Sequence, residues 1–454
     1  MKSIFREYDI RGVVGQSLTA DKVRLIGQAI GSLAAERGER QIAVARDARL
    51  SSPELCQALK QGLRQAGQTV IDLGILPTPV LYFATQTLST RAGVMVTGSH
   101  NPPQYNGLKI VIDGVALHGD VIRDLYRRIG QGDLRRGQGG ETTAAVGDAY
   151  IRRLAESIRL DRPLKVVVDC GNAVAGAMAP QLLRAIGAQV AELYCEVDGR
   201  FPHHHPDPSI PANLADLQAR VLAEKADLGV AFDGDADRLG IVTEQGEIIW
   251  PDRIMMPLAQ EVLENHPGAK IIYDVKCSTR LARLIARLGG EPIMWKTGHS
   301  VIKAKMRETG ALLGGEMTGH FAFADAWYGF DDGLYAAARL LRILARDPRP
   351  VSAQIADYPV GINTPELRIP MAEGAAAAFM EQLAARADFG PGRLYTLDGL
   401  RVEFDHGWGL VRASNTTPSL VLRFEADDQT RLLAIQDLFR RQLLALDPAL
   451  ALPF

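Results

Sequence analysis

One grammar, met three times, constrains this chain more than any other feature: apolar strand, helix, apolar strand. It is first seen as "QIAVARD", "SSPELCQALKQGLRQAG" and "TVIDLG". It returns as "LKVVVDCG", "AGAMAPQLLRAIGA" and "QVAELY", and again as "AKIIYDVK", "STRLARLIARLGG" and "EPIMWKTG". The helical stretches carry apolar residues at helical spacing and stop at glycine, while the flanking runs are short and β-branched. Strands alternating with helices of roughly ten to fifteen residues build parallel sheets in an α/β fold.

Each repeat also ends alike, in a glycine-containing apolar strand that runs into a polar loop: "AGVMV" into TGSHNP, "LGVAF" into DGDADR, "GALLG" into GEMTGH. This reads as a diverged internal repeat with three loops at equivalent strand ends. Ligands of open α/β sheets bind at the carboxyl ends of strands, so three such loops can converge on one cleft. The tail differs. "GLRVEFDHGWGLVRASNTTPSLVLRFEA" is strand, loop and strand, the mark of a smaller α+β domain. The expected domains are therefore 1–145, 146–247, 248–359 and 360–454. The first three are similar α/β units with mixed, mainly parallel sheets, and the fourth is the α+β unit.

Composition narrows the function classes. A chain of 454 residues with 47% hydrophobic and 23% charged residues can bury several cores. A formal charge of −2 argues against nucleic acid as a partner, though a local basic pocket for a small anion is compatible with it. Cys56, Cys170, Cys195 and Cys277 are far apart with no CxxC, which points away from zinc or a disulfide framework and toward a reducing cytoplasm. "MKSIFREYDIRG" has no apolar h-region and no run of eighteen apolar residues follows, so neither export by that route nor a membrane span is expected.

The loops carry the chemistry. DGDADR sets Asp233, Asp235 and Asp237 on alternate positions, with only Gly and Ala between them. Three carboxylates turned toward one point repel without a cation, and hard oxygen ligands suit Mg²⁺. An EF-hand would use the same aspartates with Glu244 at its last position, but Arg238 replaces the required glycine and the flanks read as strands. Arg238 itself is either a partner for one carboxylate or a reader of phosphate. Ser99 beside a divalent site becomes a phosphate acceptor, since Mg²⁺ neutralises charge on a transferring phosphoryl group. RASNTTP gathers one guanidinium with hydroxyl and amide side chains, a set suited to a phosphate monoester. The "HHH" at 203–205 points in different directions on an extended, Pro-rich loop and reads as structural. "GNAVAG" lacks the GK[ST] ending of a P-loop.

TGSHNP, DGDADR, GEMTGH and RASNTTP, in this order, resemble the loops of the α-D-phosphohexomutases, and the likeness runs from "YDIRG" at residue 8 onward. The bifunctional phosphomannomutase/phosphoglucomutase branch is the best match. Thr318 stands where serine is more usual, and the hydroxyl is kept. The resemblance implies four domains around a central cleft, the fourth mobile. It implies a phosphoserine at Ser99, with Mg²⁺ on Asp233, Asp235, Asp237 and a phosphoserine oxygen. Arg11, His100, Lys109 and His320 would lie by the transferring group, and Glu316 and Thr318 would hold sugar hydroxyls. Arg412, Ser414, Asn415 and Thr416 would hold the other phosphate, with Tyr8, Arg238, Lys276 and His299 lining the cleft. The implied reaction interconverts hexose 1- and 6-phosphates through a hexose 1,6-bisphosphate, which also serves as activator, in a monomer or weak dimer. Three rivals compete with it: a serine/metal sugar phosphatase, a catalytically silent sugar-phosphate binder, which would lack a nucleophile or ligand that this chain keeps, and phosphoglucosamine mutase, whose sugar loop usually has Gln where this chain has Met317.

Overall fold

The computed structural model describes residues 1–414 and 417–454. In its first sheet Gln41–Arg46 lies between Thr69–Ile75 and Gly93–Val96, all parallel, and Tyr105–Ile112 returns antiparallel beside Gly93–Val96. In the second, Lys165–Asp169 lies between Gln189–Leu193 and Leu228–Phe232, and Leu239–Thr243 returns antiparallel. In the third, Lys270–Asp274 lies between Glu291–Trp295 and Leu313–Gly315, and Phe321–Phe323 returns antiparallel. Counted along the chain, the four strands of each unit stand in the same spatial order: fourth, third, first, second. The three polar loops are thus one connection met three times, from the third strand to its returning neighbour. The first sheet is extended by Ile10–Val13, Val115–Ala116 and Glu141–Thr143, the second by Ile248–Ile249.

The glycine of each third strand has a packing reason. A Cβ on Gly93 would meet Thr85 and Leu81, one on Gly229 would meet Leu217 and Val221, and one on Gly314 would meet Met306 and Ile302, all within 3.4 Å. Each set lies on the helix covering that strand: Thr78–Thr87, Ala215–Glu224 and His299–Thr309. Close helix–strand approach therefore accounts for the repeat signature. The units are not sealed from one another: one hydrophobic core runs from Ala43 through Val168 and Phe232 to Leu341 and Ile355.

The last sheet is antiparallel, built on Ser419–Ala426 against Gly407–Ala413, with Leu400–Phe404 and Arg393–Tyr395 beyond and Ile362–Asn363 and Leu367–Pro370 on the other edge. Helices Ala375–Arg386 and Gln429–Leu446 cover it, and Phe379, Leu383 and Phe439 belong to a core of its own. Its joint to the third unit pairs an apolar contact, Val275 on Trp408 and Leu410, with polar ones. Arg401 Nη1 donates to the carbonyls of Val275 (2.6 Å) and Cys277 (2.7 Å), and Arg423 Nη1 pairs with Asp252 at 3.0 Å. Among the described residues, no helix is long and apolar enough to cross a membrane.

Candidate active site

Ser99 closes the first repeat strand in the left-handed region, at φ 48°. Its N–H donates to Thr97 Oγ1 at 2.8 Å, and the Gly98 N–H donates to Asp47 Oδ2 at 3.0 Å. Beneath the loop lies Arg49, 1% exposed. Its Nη2 donates to the carbonyls of Ser99 (2.6 Å) and Asn101 (2.5 Å), and its Nη1 to those of Pro102 (2.8 Å) and Tyr105 (3.1 Å). Four carbonyls gripped by one guanidinium fix where the serine points.

It points at the second loop. Ser99 Oγ donates to Asp233 Oδ2 at 2.9 Å and lies 3.1 Å from His100 Nδ1. A Cβ on Gly234 would fall 2.2 Å from the Ser99 carbonyl oxygen, so a residue without one is needed where the loops touch. Asp233, Asp235 and Asp237 are wholly buried, and one oxygen from each lies within 4.8 Å of the others. Lys109, on the returning strand, donates to Asp235 Oδ2 at 2.7 Å and to Asp237. Thr78 Oγ1 donates to the same Asp235 oxygen at 2.5 Å.

The electrostatics are strained in one direction. Burial, then Asp237 and Asp235, push Asp233 well above the usual carboxylate range. Burial also opposes the charge on Lys109, but Asp235 and Asp237 outweigh it and hold the ammonium firmly protonated. Asp235 Oδ1 and Asp237 Oδ1 remain buried without a hydrogen bond. Lys109 and, from the third loop, His320 face the three carboxylates, whose clustered oxygens are the hard donors that a small divalent cation takes.

The third loop stands opposite. Glu316 Oε2 lies 2.8 Å from His320 Nδ1, its other oxygen accepts from the Gly298 N–H, and His320 Nε2 lies 3.3 Å from Asp237 Oδ1. Burial disfavours the His320 charge, but Asp237 and Glu316 push its pKa up to about 9. Glu316 is drawn down to about 2, against its burial, chiefly by His320. Thr318 Oγ1 lies 3.0 Å from His320 Nδ1. His299 opens its helix 3.2 Å from Asp331 Oδ2, and burial holds it below the ordinary histidine value. His100 is also held well below that value, by burial and then by the guanidiniums of Arg238 and Arg11.

These groups line one cleft of about 460 Å³. Ser99, His100, Lys109, Arg11, Tyr8, Arg238, Lys276, His299, Glu316, Thr318, His320, Arg412 and Ser414 all reach its wall, with the three aspartates beneath the floor. Arg11 pairs with Asp9 at 2.5 Å, Lys276 with Glu366 at 3.1 Å, and Arg412 with Asp398 at 3.1 Å. Tyr8 donates its hydroxyl to the Thr297 carbonyl at 2.7 Å. Asn415 and Thr416 lie outside the described residues.

Four family models cover this chain in order. They are the phosphoglucomutase/phosphomannomutase alpha/beta/alpha domains I, II and III, over residues 2–136, 148–246 and 250–360, and the C-terminal domain over 366–442. The chain belongs to the phosphoglucomutase/phosphomannomutase family. It is 55% identical over 452 residues to a phosphomannomutase/phosphoglucomutase of Pseudomonas aeruginosa, covering 100% of this chain and 98% of the relative. It is 50% identical over 443 residues to a phosphoglucomutase of Neisseria gonorrhoeae, covering 97% and 96% of the two. A crystal structure of a phosphoglucomutase/phosphomannomutase family protein from Burkholderia thailandensis matches with a TM-score of 0.96 at 52% identity, covering all of both chains.

In this phosphoglucomutase/phosphomannomutase chain several cleft residues carry no motif signal. Arg49, Asp47 and Thr78 act on the loops from elements distant in sequence, and Glu366 and Arg368 join the cleft wall from the edge of the last sheet. The three histidines at 203–205 diverge, as the sequence suggests. His203 meets Asn172 at 2.7 Å, His204 meets Asp169 at 2.9 Å, and His205 Nε2 meets the His100 carbonyl. Strands flank DGDADR, and Glu244 turns away to Ser352, so the loop has no EF-hand geometry.

Proposed function

We propose that this protein interconverts hexose 1-phosphates and hexose 6-phosphates, acting on glucose and mannose, with the phosphate carried on Ser99. The observation that carries the proposal is the 2.9 Å contact of Ser99 Oγ with Asp233, inside a cleft lined by Glu316 on one side and Arg412 on another. Asp233, Asp235 and Asp237, with a phosphoserine oxygen, would hold Mg²⁺, which supplies charge neutralisation for the transferring phosphoryl group.

In the forward half, the Ser99 Oγ–P bond breaks as a free sugar hydroxyl oxygen takes the phosphorus and gives up its proton, and a proton replaces phosphorus on Ser99 Oγ, giving a hexose 1,6-bisphosphate and free serine. After the sugar turns over in the cleft, its other phosphate returns to Ser99, and the serine must lose a proton to accept it. His100, held neutral at 3.1 Å from Ser99 Oγ, is placed to take that proton. Lys109 and Arg11 offset phosphate charge, while Glu316, braced by His320, accepts sugar hydroxyls with Thr318 beside it. Arg412, Ser414, Asn415 and Thr416 receive the phosphate that is not transferring, with Tyr8, Arg238, Lys276 and His299 completing the wall.

Turnover of glucose 1-phosphate with a bisphosphate activator, with mass spectrometry of Ser99, is the test. Phosphate on Ser99 is expected, and Ser99→Ala should remove most turnover while sugar-phosphate binding survives. Ser99 left unmodified after treatment with a hexose bisphosphate would refute the mechanism.

A further inference from the structure

A second cavity, of about 440 Å³, lies between the first and third units against helices Thr78–Thr87 and His299–Thr309. Its charged lining is Arg91, Lys303 and Arg307, with no carboxylate among the described residues. Two of these cations are engaged. Lys303 Nζ pairs with Asp331 Oδ1 at 2.5 Å and stands 4.5 Å from the centroid of the Tyr82 ring. Arg91 lies 3.4 Å from the Asp113 carboxylate and donates to that residue's carbonyl at 3.0 Å.

Arg307 is different. Among the described residues nothing forms a hydrogen bond, ion pair or ring contact with its guanidinium. The side chain is accessible to solvent, yet enough protein surrounds it that desolvation holds its pKa below the ordinary arginine value, with no neighbouring carboxylate to offset the effect. A guanidinium so placed gains from an anion, because a charge-assisted bond replaces the lost hydration.

Beside the cations the wall is aromatic. Tyr328 and Phe330 lie nearly parallel, 7° apart with ring centroids at 6.0 Å, and Tyr82 meets Phe330 at 5.6 Å. Tyr328 keeps 38% of its surface exposed. A flat apolar face next to an open guanidinium selects a ligand that is flat at one end and anionic at the other. The volume exceeds what a bare phosphate fills and is close to that of the cleft.

We propose that this second cavity binds a small anion carried on a flat ring, of nucleotide or aromatic-carboxylate type, its anionic group on Arg307 and its ring against Tyr328 and Phe330. The helix that carries Arg307 also carries His299 into the cleft. His299, Lys303 and Arg307 follow at intervals of four and share one face, so the two cavities have a common wall.

Calorimetric titration of the full chain tests the proposal, with adenosine 5′-monophosphate, benzoate and inorganic phosphate as separate probes. One of the two ring-bearing anions is expected to bind at one site per chain, at least tenfold more tightly than phosphate, and the better probe identifies the source. Arg307→Gln should weaken that binding tenfold or more, and Lys276→Gln, in the cleft, should leave it within twofold. Arg307 has no internal partner to lose, so its substitution should leave the melting temperature and turnover unchanged. Absence of binding for both ring-bearing probes at millimolar concentration would overturn the proposal. So would binding that Lys276→Gln abolishes and Arg307→Gln does not.

Discussion

Arg49 donates to the carbonyl of Ser99 at 2.6 Å, from a guanidinium that also grips three further carbonyls of the same loop. Lysine offers a single point charge there and cannot span four acceptors in two directions. Arg49→Lys is therefore expected to leave Ser99 displaced by a fraction of an ångström to an ångström, a shift that costs up to about 100-fold in rate. Steady-state kinetics should show kcat falling at least tenfold while KM for the sugar phosphate moves less than threefold. A fall shared equally by kcat and by the affinity for sugar phosphate would instead mark a general loss of structure.

The loops themselves were legible because each concentrates its chemistry in six or seven adjacent residues. Asp233, Asp235 and Asp237 announce a cluster of carboxylates by their spacing alone. Arg49 could not be read that way: its partners lie about fifty residues downstream, and a lone arginine after a strand has no distinguishing neighbours. Thr78 is hidden for the same reason, since Asp235 is 157 residues away. The repeat was visible in its glycines, but the spatial order of strands was not. Periodicity reports which face of a strand is buried and says nothing about which strand lies beside it. The core shared by the three α/β units is equally silent in sequence, because Ala43 and Ile355 meet only through the packed sheets between them.

Asp235→Asn should lower kcat by tenfold or more with little change in KM. The variant keeps an oxygen but loses the charge that, with Asp237, holds Lys109 and would hold a cation. Charge that acts on a transferring phosphoryl group is felt in the transition state more than in the ground state. Activity measured after chelation, and again on adding back Mg²⁺ or Ca²⁺, is the check. Mg²⁺ should restore turnover and Ca²⁺ should restore little, given its looser coordination. Full activity in the chelated enzyme would exclude the metal site.

A separate expectation concerns stability and pH. Asp332 caps helix Gly333–Ala345, accepting from the Tyr335 N–H at 2.9 Å, from Tyr150 Oη at 2.8 Å and from Trp327 Nε1 at 3.0 Å. Burial nevertheless pushes its pKa up to about 7, with the three donors pulling the other way. A carboxyl whose folded value lies above its unfolded value of about 3.9 binds more protons folded than unfolded between the two, so stability falls as pH rises through that window and levels above it. Wild type should therefore melt at a higher temperature at pH 5 than at pH 8. Asp332→Asn, which cannot ionise, should flatten that part of the profile. Identical pH slopes for the two proteins would remove Asp332 as the cause.

The proposed exchange of phosphate through a bisphosphate demands that one site accept the sugar in two orientations, and specificity follows from that demand. Turning the hexose by roughly half a turn approximately exchanges its 3- and 4-hydroxyls, so one rigid carboxylate can hold that pair either way. Glu316 is so held, with the Gly298 N–H on one oxygen and His320 Nδ1 at 2.8 Å from the other. The 2-position has no counterpart across the turn, and glucose and mannose differ only there, so both 1-phosphates should be converted. An amino group at that position brings a cation into a cleft lined by Lys276, Arg412 and Arg423 and by carboxylates already engaged, Asp9 with Arg11, Glu316 with His320 and Glu366 with Lys276. The adjoining loop residue is Met317, whose sulfur lies 3.0 Å from Arg423 Nη1 and offers no carboxylate. Desolvating that cation without a partner costs at least ~1–3 kcal/mol, roughly a factor of five to a hundred or more in rate. Comparing kcat/KM for glucose, mannose and glucosamine 1-phosphates should therefore place the first two within about tenfold of each other and the third well below. A tenfold preference for glucosamine 1-phosphate would make Met317 irrelevant to selection and assign the chain to amino-sugar chemistry instead.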